Sequence, residues 1–99
     1  MKRVSPDDLY LSRLPIPALT QERRQELVKL IKRMTEDARV AVRQARREAN
    51  ETLKDFLKEK EISEDESKRG EKKVQDLTDT FVKQVDEIGE KKESEIMEV

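Results

Sequence analysis

The chain has 99 residues, of which 45% are charged, 33% are hydrophobic and 3% are aromatic. It contains no histidine and no cysteine, which excludes nucleophile systems built on those side chains and the commonest ligands of zinc, copper and haem. The 22 basic and 23 acidic residues leave a net charge of -1, so any basic binding site must be local. This composition predicts a single domain that is not an enzyme and that holds no cofactor or metal.

The N-terminal residues are predicted to be extended. Residues 1–13 have no usable periodicity and are interpreted as a flexible tail, whereas Pro15 and Pro17 favour an extended, hinge-like strand over residues 14–19. The basic pair at the start is followed by two acids instead of an apolar core, so it does not form a secretory signal. No apolar run approaches the roughly 20 residues of a membrane span, and the lack of cysteine fits a reducing compartment. We therefore expect a cytoplasmic protein without a membrane partner.

A long helix is predicted over about residues 20–60. Thr20 is the natural N-cap, and Glu22 lies where it can meet the positive end of the helix dipole. No proline or glycine interrupts the chain between Ala18 and Gly70. Apolar residues recur at steps of three and four, which predicts one buried stripe that includes Met34 as a core residue. The stripe consists of Leu27, Ile31, Met34, Ala38, Ala41, Ala45, Ala49, Leu53 and Phe56.

A second helix is predicted over about residues 64–97, after a turn at about 61–63. Ser63 and Glu66 have the spacing of a capping box, in which each side chain accepts a hydrogen bond from the other residue's backbone amide. Residues 64–73 contain no large apolar side chain, so the first turns of this helix are expected to project into water. The apolar stripe of this helix consists of Val74, Leu77, Phe81, Val85 and Ile88.

The two helices predict an all-α fold, a long antiparallel helical hairpin over residues 20–99. If each stripe is wide enough for two neighbours, a lone hairpin exposes roughly six to eight apolar side chains, or about 10–20 kcal/mol of unburied surface. That amount exceeds the typical net stability of a domain, about 5–15 kcal/mol. The sequence therefore predicts a chain that dimerises, binds a helix from elsewhere or is only partly folded alone. One interpretation is a structural module that forms a homo-oligomer through its apolar stripe.

Four arginines form a second pattern on the first helix. Arg39, Arg43, Arg46 and Arg47 are spaced so that they share one helix face, roughly 130° from the apolar stripe. We call this set the arginine ridge. The arginine fork suits bidentate contact with phosphate, which favours an RNA-backbone platform. A solvated, salt-bridged helix face explains the same spacing, and spacing alone leaves both interpretations open.

The acidic residues near the turn do not predict a site. They are crowded and solvated, which gives little scope for the burial that tunes a catalytic acid. Residues 65–76 imitate the length of a calcium loop, but Arg69 occupies a ligand position and helix signals run through the segment.

Several motifs resemble those of one protein family. They are LPIPALTQERR at 14–24, ARVAVR at 38–43, RREAN at 46–50 and KEISEDE at 60–66. In this order and spacing they resemble the C-terminal half of bacterial ribosome recycling factor, and the likeness extends over residues 14–99. The resemblance implies a helical bundle joined through a hinge to a smaller α/β domain. It also implies a factor that acts with elongation factor G to release ribosomes from mRNA after termination.

The resemblance gives the arginines a role. Arg43 and Arg46 match family arginines that meet ribosomal RNA of the large subunit, with Arg39, Arg47 and Arg24 as helpers, and Pro15 and Pro17 match the hinge. The family's first helix and its α/β domain have no counterpart in this sequence, which implies two of the three bundle helices and an open side where the third would pack. The prediction is a truncated, ribosome-binding translation factor. It leaves open whether this chain acts with elongation factor G or recycles ribosomes alone.

Overall fold

The computed structural model describes residues 19–98, which form two α-helices joined by a short turn. Helix α1 extends over Gln21–Lys58 and helix α2 over Glu64–Met97, and the two pack side by side with opposite directions. The predicted helical hairpin is therefore confirmed. The predicted tail over residues 1–13, and the hinge-like strand with Pro15 and Pro17, lie outside the described residues apart from Leu19.

Local interactions define the ends of both helices. The Thr20 side chain accepts a hydrogen bond from the Arg23 amide at 3.0 Å and caps α1. The predicted capping box is present at α2, where the Ser63 Oγ accepts from the Glu66 amide at 3.1 Å and the Glu66 carboxylate accepts from the Ser63 amide at 3.0 Å. These bonds satisfy amides that the first turn of a helix leaves unpaired.

Helix α1 ends two residues before the predicted position because the chain reverses at Lys60. This residue has a φ of 61°, in the left-handed region that seldom suits a residue with a side chain. The Lys60 amide donates to the Leu57 carbonyl and the Glu61 amide donates to the Phe56 carbonyl. This pair of hydrogen bonds is a Schellman motif, which stops the helix without the usual glycine.

Small residues form the closest contacts between the helices. Ser67, Thr78 and Gly89 of α2 are buried, and a Cβ added at Gly89 would lie 2.7 Å from the Thr35 Oγ1. Likewise, a Cβ added at Gly70 would lie 3.0 Å from a methyl carbon of Leu53. Most of residues 64–73 are exposed, as the sequence predicts, but Ser67 is an exception, since it is only 4% exposed.

The hairpin is a single layer without an enclosed core. The Cα atoms span 15 Å along the shortest axis, and within residues 19–98 no hydrophobic side chain is buried. The prediction that Met34 is a core residue is wrong, since its exposure is 61%. The predicted stripe of α1 divides: Ile31 and Leu53 are half-buried, while Met34, Ala41 and Ala45 are exposed. The apolar stripe of α1 is wide enough to contact two helices, but within the described residues it contacts only α2, so part of the stripe stays exposed.

The outward-facing apolar residues lie on one side of the hairpin. We call them the open apolar face, and they line two shallow grooves between the helices. The face consists of Met34, Ala38, Ala41, Ala45 and Ala49 of α1 and Leu77, Phe81 and Ile88 of α2.

Candidate nucleic-acid interface

The arginine ridge lies in the middle of α1. Arg39, Arg43 and Arg47 lie on the side of the hairpin opposite the open apolar face, whereas Arg46 lies nearer to α2 and also borders the groove of that face. At 100° per residue the mean direction of the ridge is roughly 145° from that of the α1 residues of the open apolar face. Arg43 and Arg47 are exposed, whereas Arg46 is half-buried. The rigidity of a continuous helix fixes the spacing of these side chains along the surface, because α1 has no proline or glycine.

Arg39 is held by carboxylates on both helices. Its Nε donates to the Asp86 Oδ1 of α2 at 2.7 Å, and its Nη1 pairs with Glu36 one turn earlier on α1. The hydrogen bond with Asp86, followed by the attraction of the nearby carboxylates, raises the pKa of Arg39 and keeps the residue cationic. Its charge is therefore balanced within the protein, and the pair ties α1 to α2.

Arg24 lies apart from the ridge and is buried, with an exposure of only 7%. Its Nε donates to the Leu19 carbonyl at 3.0 Å, and its Nη1 donates to the Ile96 carbonyl at 2.5 Å and the Glu98 carbonyl at 2.6 Å. These carbonyls include groups that the end of a helix leaves unpaired. Arg24 thus joins the start of α1 to the end of α2, about 22 Å along the helix from Arg39.

The remaining arginines of the ridge are available to a ligand. Within residues 19–98, neither Arg43 nor Arg46 has a carboxylate oxygen within ion-pairing distance. Arg47 donates to the Gln44 side chain at 3.4 Å, which is a weak contact within one turn of helix. We call Arg43, Arg46 and Arg47 the free arginines. Their three forks can each make two parallel hydrogen bonds to a phosphate.

Helix α2 contributes residues that sequence reasoning missed. Arg43 and Arg46 form one wall of an open groove of about 480 Å³, and the facing wall includes Gln75, Lys83 and four carboxylates, those of Asp79, Asp86, Glu87 and Glu90. Lys83 adds a cation beside the free arginines, while the four carboxylates limit how much negative charge the groove accepts. No local signal connects Lys83 with residues some 40 positions earlier, because only the packing of the two helices brings them together.

Asn50 is a second residue that the sequence did not single out. It follows Arg46 by one turn, and its Oδ1 is buried with no hydrogen-bond partner in the described part of the chain. A polar residue at this position interrupts the half-buried stripe that continues to Leu53. That interruption is the signal by which Asn50 could have been found.

The described residues offer no other kind of site. Across residues 19–98 there is no group of three or more metal-ligating side chains. Neither α1 nor α2 has the length and apolarity required to cross a membrane.

Comparison with known proteins identifies the family. The family model described as ribosome recycling factor matches residues 4–97. This chain belongs to the ribosome recycling factor family. The predicted resemblance is therefore confirmed, and the family consists of translation factors rather than enzymes.

Individual ribosome recycling factors are similar over nearly the whole chain. The ribosome-recycling factor of Carboxydothermus hydrogenoformans is 59% identical over 93 residues, which is 94% of this chain and 50% of that protein. That of Heliobacterium modesticaldum is 56% identical over 87 residues, or 88% of this chain and 47% of that protein. That of Symbiobacterium thermophilum is 53% identical over 93 residues, which is 94% of this chain and 50% of that protein. The chain spans about half the length of the curated relatives that it matches.

Proposed function

We propose that this chain takes part in ribosome recycling by binding ribosomal RNA of the large subunit through Arg43, Arg46 and Arg47. The observation that carries the proposal is that these free arginines lie close together on a rigid helix and, within residues 19–98, form no ion pair with a carboxylate. Membership of the ribosome recycling factor family supplies the ribosome as the source of the phosphates.

The contacts within the hairpin divide the five arginines predicted from the sequence into two groups. Arg24 and Arg39 have structural partners, so we assign them to holding the hairpin together rather than to RNA. Extracting either one from its partners would leave a carbonyl or carboxylate without its hydrogen bond. Cooperation with elongation factor G stays a prediction from the family resemblance.

Sedimentation with ribosomes at several salt concentrations tests the RNA contact. The double variant Arg43→Ala/Arg46→Ala should bind roughly ten- to a hundredfold more weakly than the wild type, because charge-assisted hydrogen bonds are lost. The slope of log affinity against log salt should fall by about 1 for each phosphate contact removed. The helix content measured by circular dichroism should be unchanged.

The matched control is Arg23→Ala/Arg33→Ala, which removes the same charge from exposed positions of α1 outside the ridge. Its salt slope should equal that of the wild type. If the Arg43/Arg46 variant sediments with ribosomes as the wild type does at every salt concentration, the RNA assignment is wrong.

The open apolar face favours a second function, a structural module that assembles through apolar contact. This function uses the side of the hairpin opposite Arg43 and Arg47, so it is compatible with RNA binding by those two arginines, whereas Arg46 borders both grooves.

A further inference from the structure

The cations of α1 have different partners in the two halves of the helix. Before residue 40, Lys32 pairs with Glu93 of α2 at 3.5 Å and Arg39 pairs with Asp86 of α2 at 2.7 Å. Within residues 19–98 these are the only ion pairs that join the two helices. After residue 40, no cation of α1 has a carboxylate oxygen of the described residues within ion-pairing distance. The positive charge in the half of α1 nearer to the turn is therefore not neutralised by ion pairs.

Two lysines continue the arginine ridge in this half. Lys54 follows Arg47 by seven residues and Lys58 follows Lys54 by four, and both lysines are exposed. At 100° per residue, Arg43, Arg47, Lys54 and Lys58 lie within about 60° of one another around α1. We call these four residues the basic row. The row extends for about 22 Å along the helix axis, since each residue adds 1.5 Å.

The carboxylates of the same segment lie beside the basic row. Between Arg43 and Lys58, α1 contains Glu48, Glu51 and Asp55. The directions of Glu48 and Asp55 are roughly 90–110° from the mean direction of the row, whereas Glu51 lies at its edge, about 50° away. A phosphate backbone bound along the row therefore lies next to only one carboxylate of α1, that of Glu51.

Helix α2 does not extend the basic surface sideways. The contact between Gly70 and Leu53 fixes which residues of the two helices lie at the same height. Beside the basic row, the charged residues of α2 within about 60° of this side are Glu64, Lys68, Glu71, Lys72 and Asp79. Three of these five are acidic, so a phosphate backbone that crossed onto α2 would meet repulsion between attractive contacts. A backbone that follows α1 meets four cations in succession.

The other half of this side is acidic. Four carboxylates line the groove between the helices there, those of Glu36, Asp86, Glu90 and Glu93. A phosphate in that groove would be repelled, and it would have to displace a carboxylate from Lys32 or Arg39. The basic row therefore has an acidic boundary at one end and continues to the turn at the other.

We propose that RNA follows α1 lengthwise from Arg43 towards the turn, with Lys54 and Lys58 as further contacts to its phosphates. This inference rests on the proposed function, in which the free arginines bind ribosomal RNA. The ligand is a run of sugar–phosphate backbone about 22 Å long. The aromatic residues of the described segment, Phe56 and Phe81, lie away from the row, so the contact is made to phosphates rather than to stacked bases.

Sedimentation with ribosomes at several salt concentrations tests the two lysines. Lys54→Ala/Lys58→Ala should bind about ten- to a hundredfold more weakly than the wild type at about 0.1 M salt, and its salt slope should fall by about 2. The matched control is Lys29→Ala/Lys32→Ala, which removes two exposed lysines from the opposite end of the same helix. This control should bind as the wild type does. Lys54→Arg/Lys58→Arg retains both charges and should retain binding.

The variant Arg43→Ala/Arg46→Ala separates this inference from the proposed function. If it binds weakly while Lys54→Ala/Lys58→Ala binds as the wild type does, the free arginines contact RNA and the extension towards the turn is refuted. If neither variant changes binding, RNA binding by this side of the hairpin is itself refuted. Equal losses in Lys54→Ala/Lys58→Ala and Lys29→Ala/Lys32→Ala would indicate attraction without a fixed path and would also overturn the inference.

Acetylation of the wild-type chain gives a measurement that needs no substitution. A lysine ammonium held against a phosphate should react more slowly with an amine-specific acetylating reagent than a lysine in water. In the ribosome-bound chain, Lys54 and Lys58 should be protected, whereas Lys29 and Lys91, at the other end of the hairpin, should react as they do in the unbound chain. Peptide mass spectrometry measures each site. Equal protection of Lys29 and Lys54 would refute the proposed path.

Discussion

At the scale of single residues, Arg24 is the most constrained charged side chain in the hairpin. A guanidinium that is 7% exposed and donates to three backbone carbonyls is fully committed to the protein. Its fork geometry matters, because a lysine ammonium cannot reach three separated oxygens equally well.

We predict that Arg24→Met lowers the free energy of unfolding by about 2–3 kcal/mol, since the side-chain volume remains while the hydrogen bonds are lost. Arg24→Lys should be intermediate. The matched control is Arg23→Met at the neighbouring exposed position, which should change stability by less than about 0.5 kcal/mol. Urea unfolding at a fixed protein concentration measures the stability of all three variants. Equal losses of stability in Arg23→Met and Arg24→Met would contradict a stabilising role for the hydrogen bonds of Arg24.

Glu66 is a residue whose contribution depends on pH. Hydrogen bonds from the Ser63 backbone and side chain lower the pKa of Glu66, because they stabilise the carboxylate. A lowered pKa in the folded state contributes stability that is present above the ordinary glutamate pKa of roughly 4.3. This stability is lost as the pH falls through the lowered pKa.

Amide hydrogen exchange in the first turn of α2 should therefore show less protection in the wild type at acid pH than near neutrality. Glu66→Gln retains an oxygen that can accept from the Ser63 amide but has no charge to titrate. Its protection should not change with pH over this range. If Glu66→Gln and the wild type lose protection in parallel, a different carboxylate controls the acid response.

At the scale of elements, the close packing of α1 against α2 depends more on Gly89 than on Gly70. A Cβ at Gly89 would meet the Oγ1 of Thr35, a short and stiff side chain that donates to the Ile31 carbonyl. A Cβ at Gly70 would meet only the methyl end of Leu53, which can rotate away.

Gly89→Ala should therefore lower the free energy of unfolding by about 1–2 kcal/mol, because overpacking exceeds the gain in helix propensity. Gly70→Ala is the matched control and should be neutral or stabilising by up to about 1 kcal/mol. Adding Thr35→Ala to the Gly89→Ala variant should restore most of the lost free energy of unfolding. Urea unfolding again supplies the measurement, and a Gly89→Ala variant as stable as the wild type would show that the helices can separate without cost.

At the scale of the whole molecule, the hairpin separates two kinds of surface. The hairpin is one layer of two helices. Its two sides are therefore separated by only one helix diameter. Charge balances over the chain but not locally: residues 38–49 carry four arginines and one glutamate, whereas residues 59–71 carry three basic and six acidic residues. A nearly neutral protein thus has both a locally basic surface and an exposed apolar surface.

Features that depend on near neighbours in the chain can be predicted from the amino-acid sequence. The caps at Thr20 and Ser63, the two long helices and the common direction of the arginine ridge all follow from interactions three or four residues apart. The family resemblance was equally readable, because its motifs are contiguous.

Which arginines lack a partner depends on the packing of the two helices and could not be predicted from the sequence. Arg39 pairs with Asp86, 47 residues away, and Arg24 bonds to Ile96 and Glu98, more than 70 residues away. Those partners depend on the register between the helices, which the small residues at the contact set through close approach. Helix periodicity gives the direction of a side chain around its own axis, but it contains no information on what a second helix places opposite it.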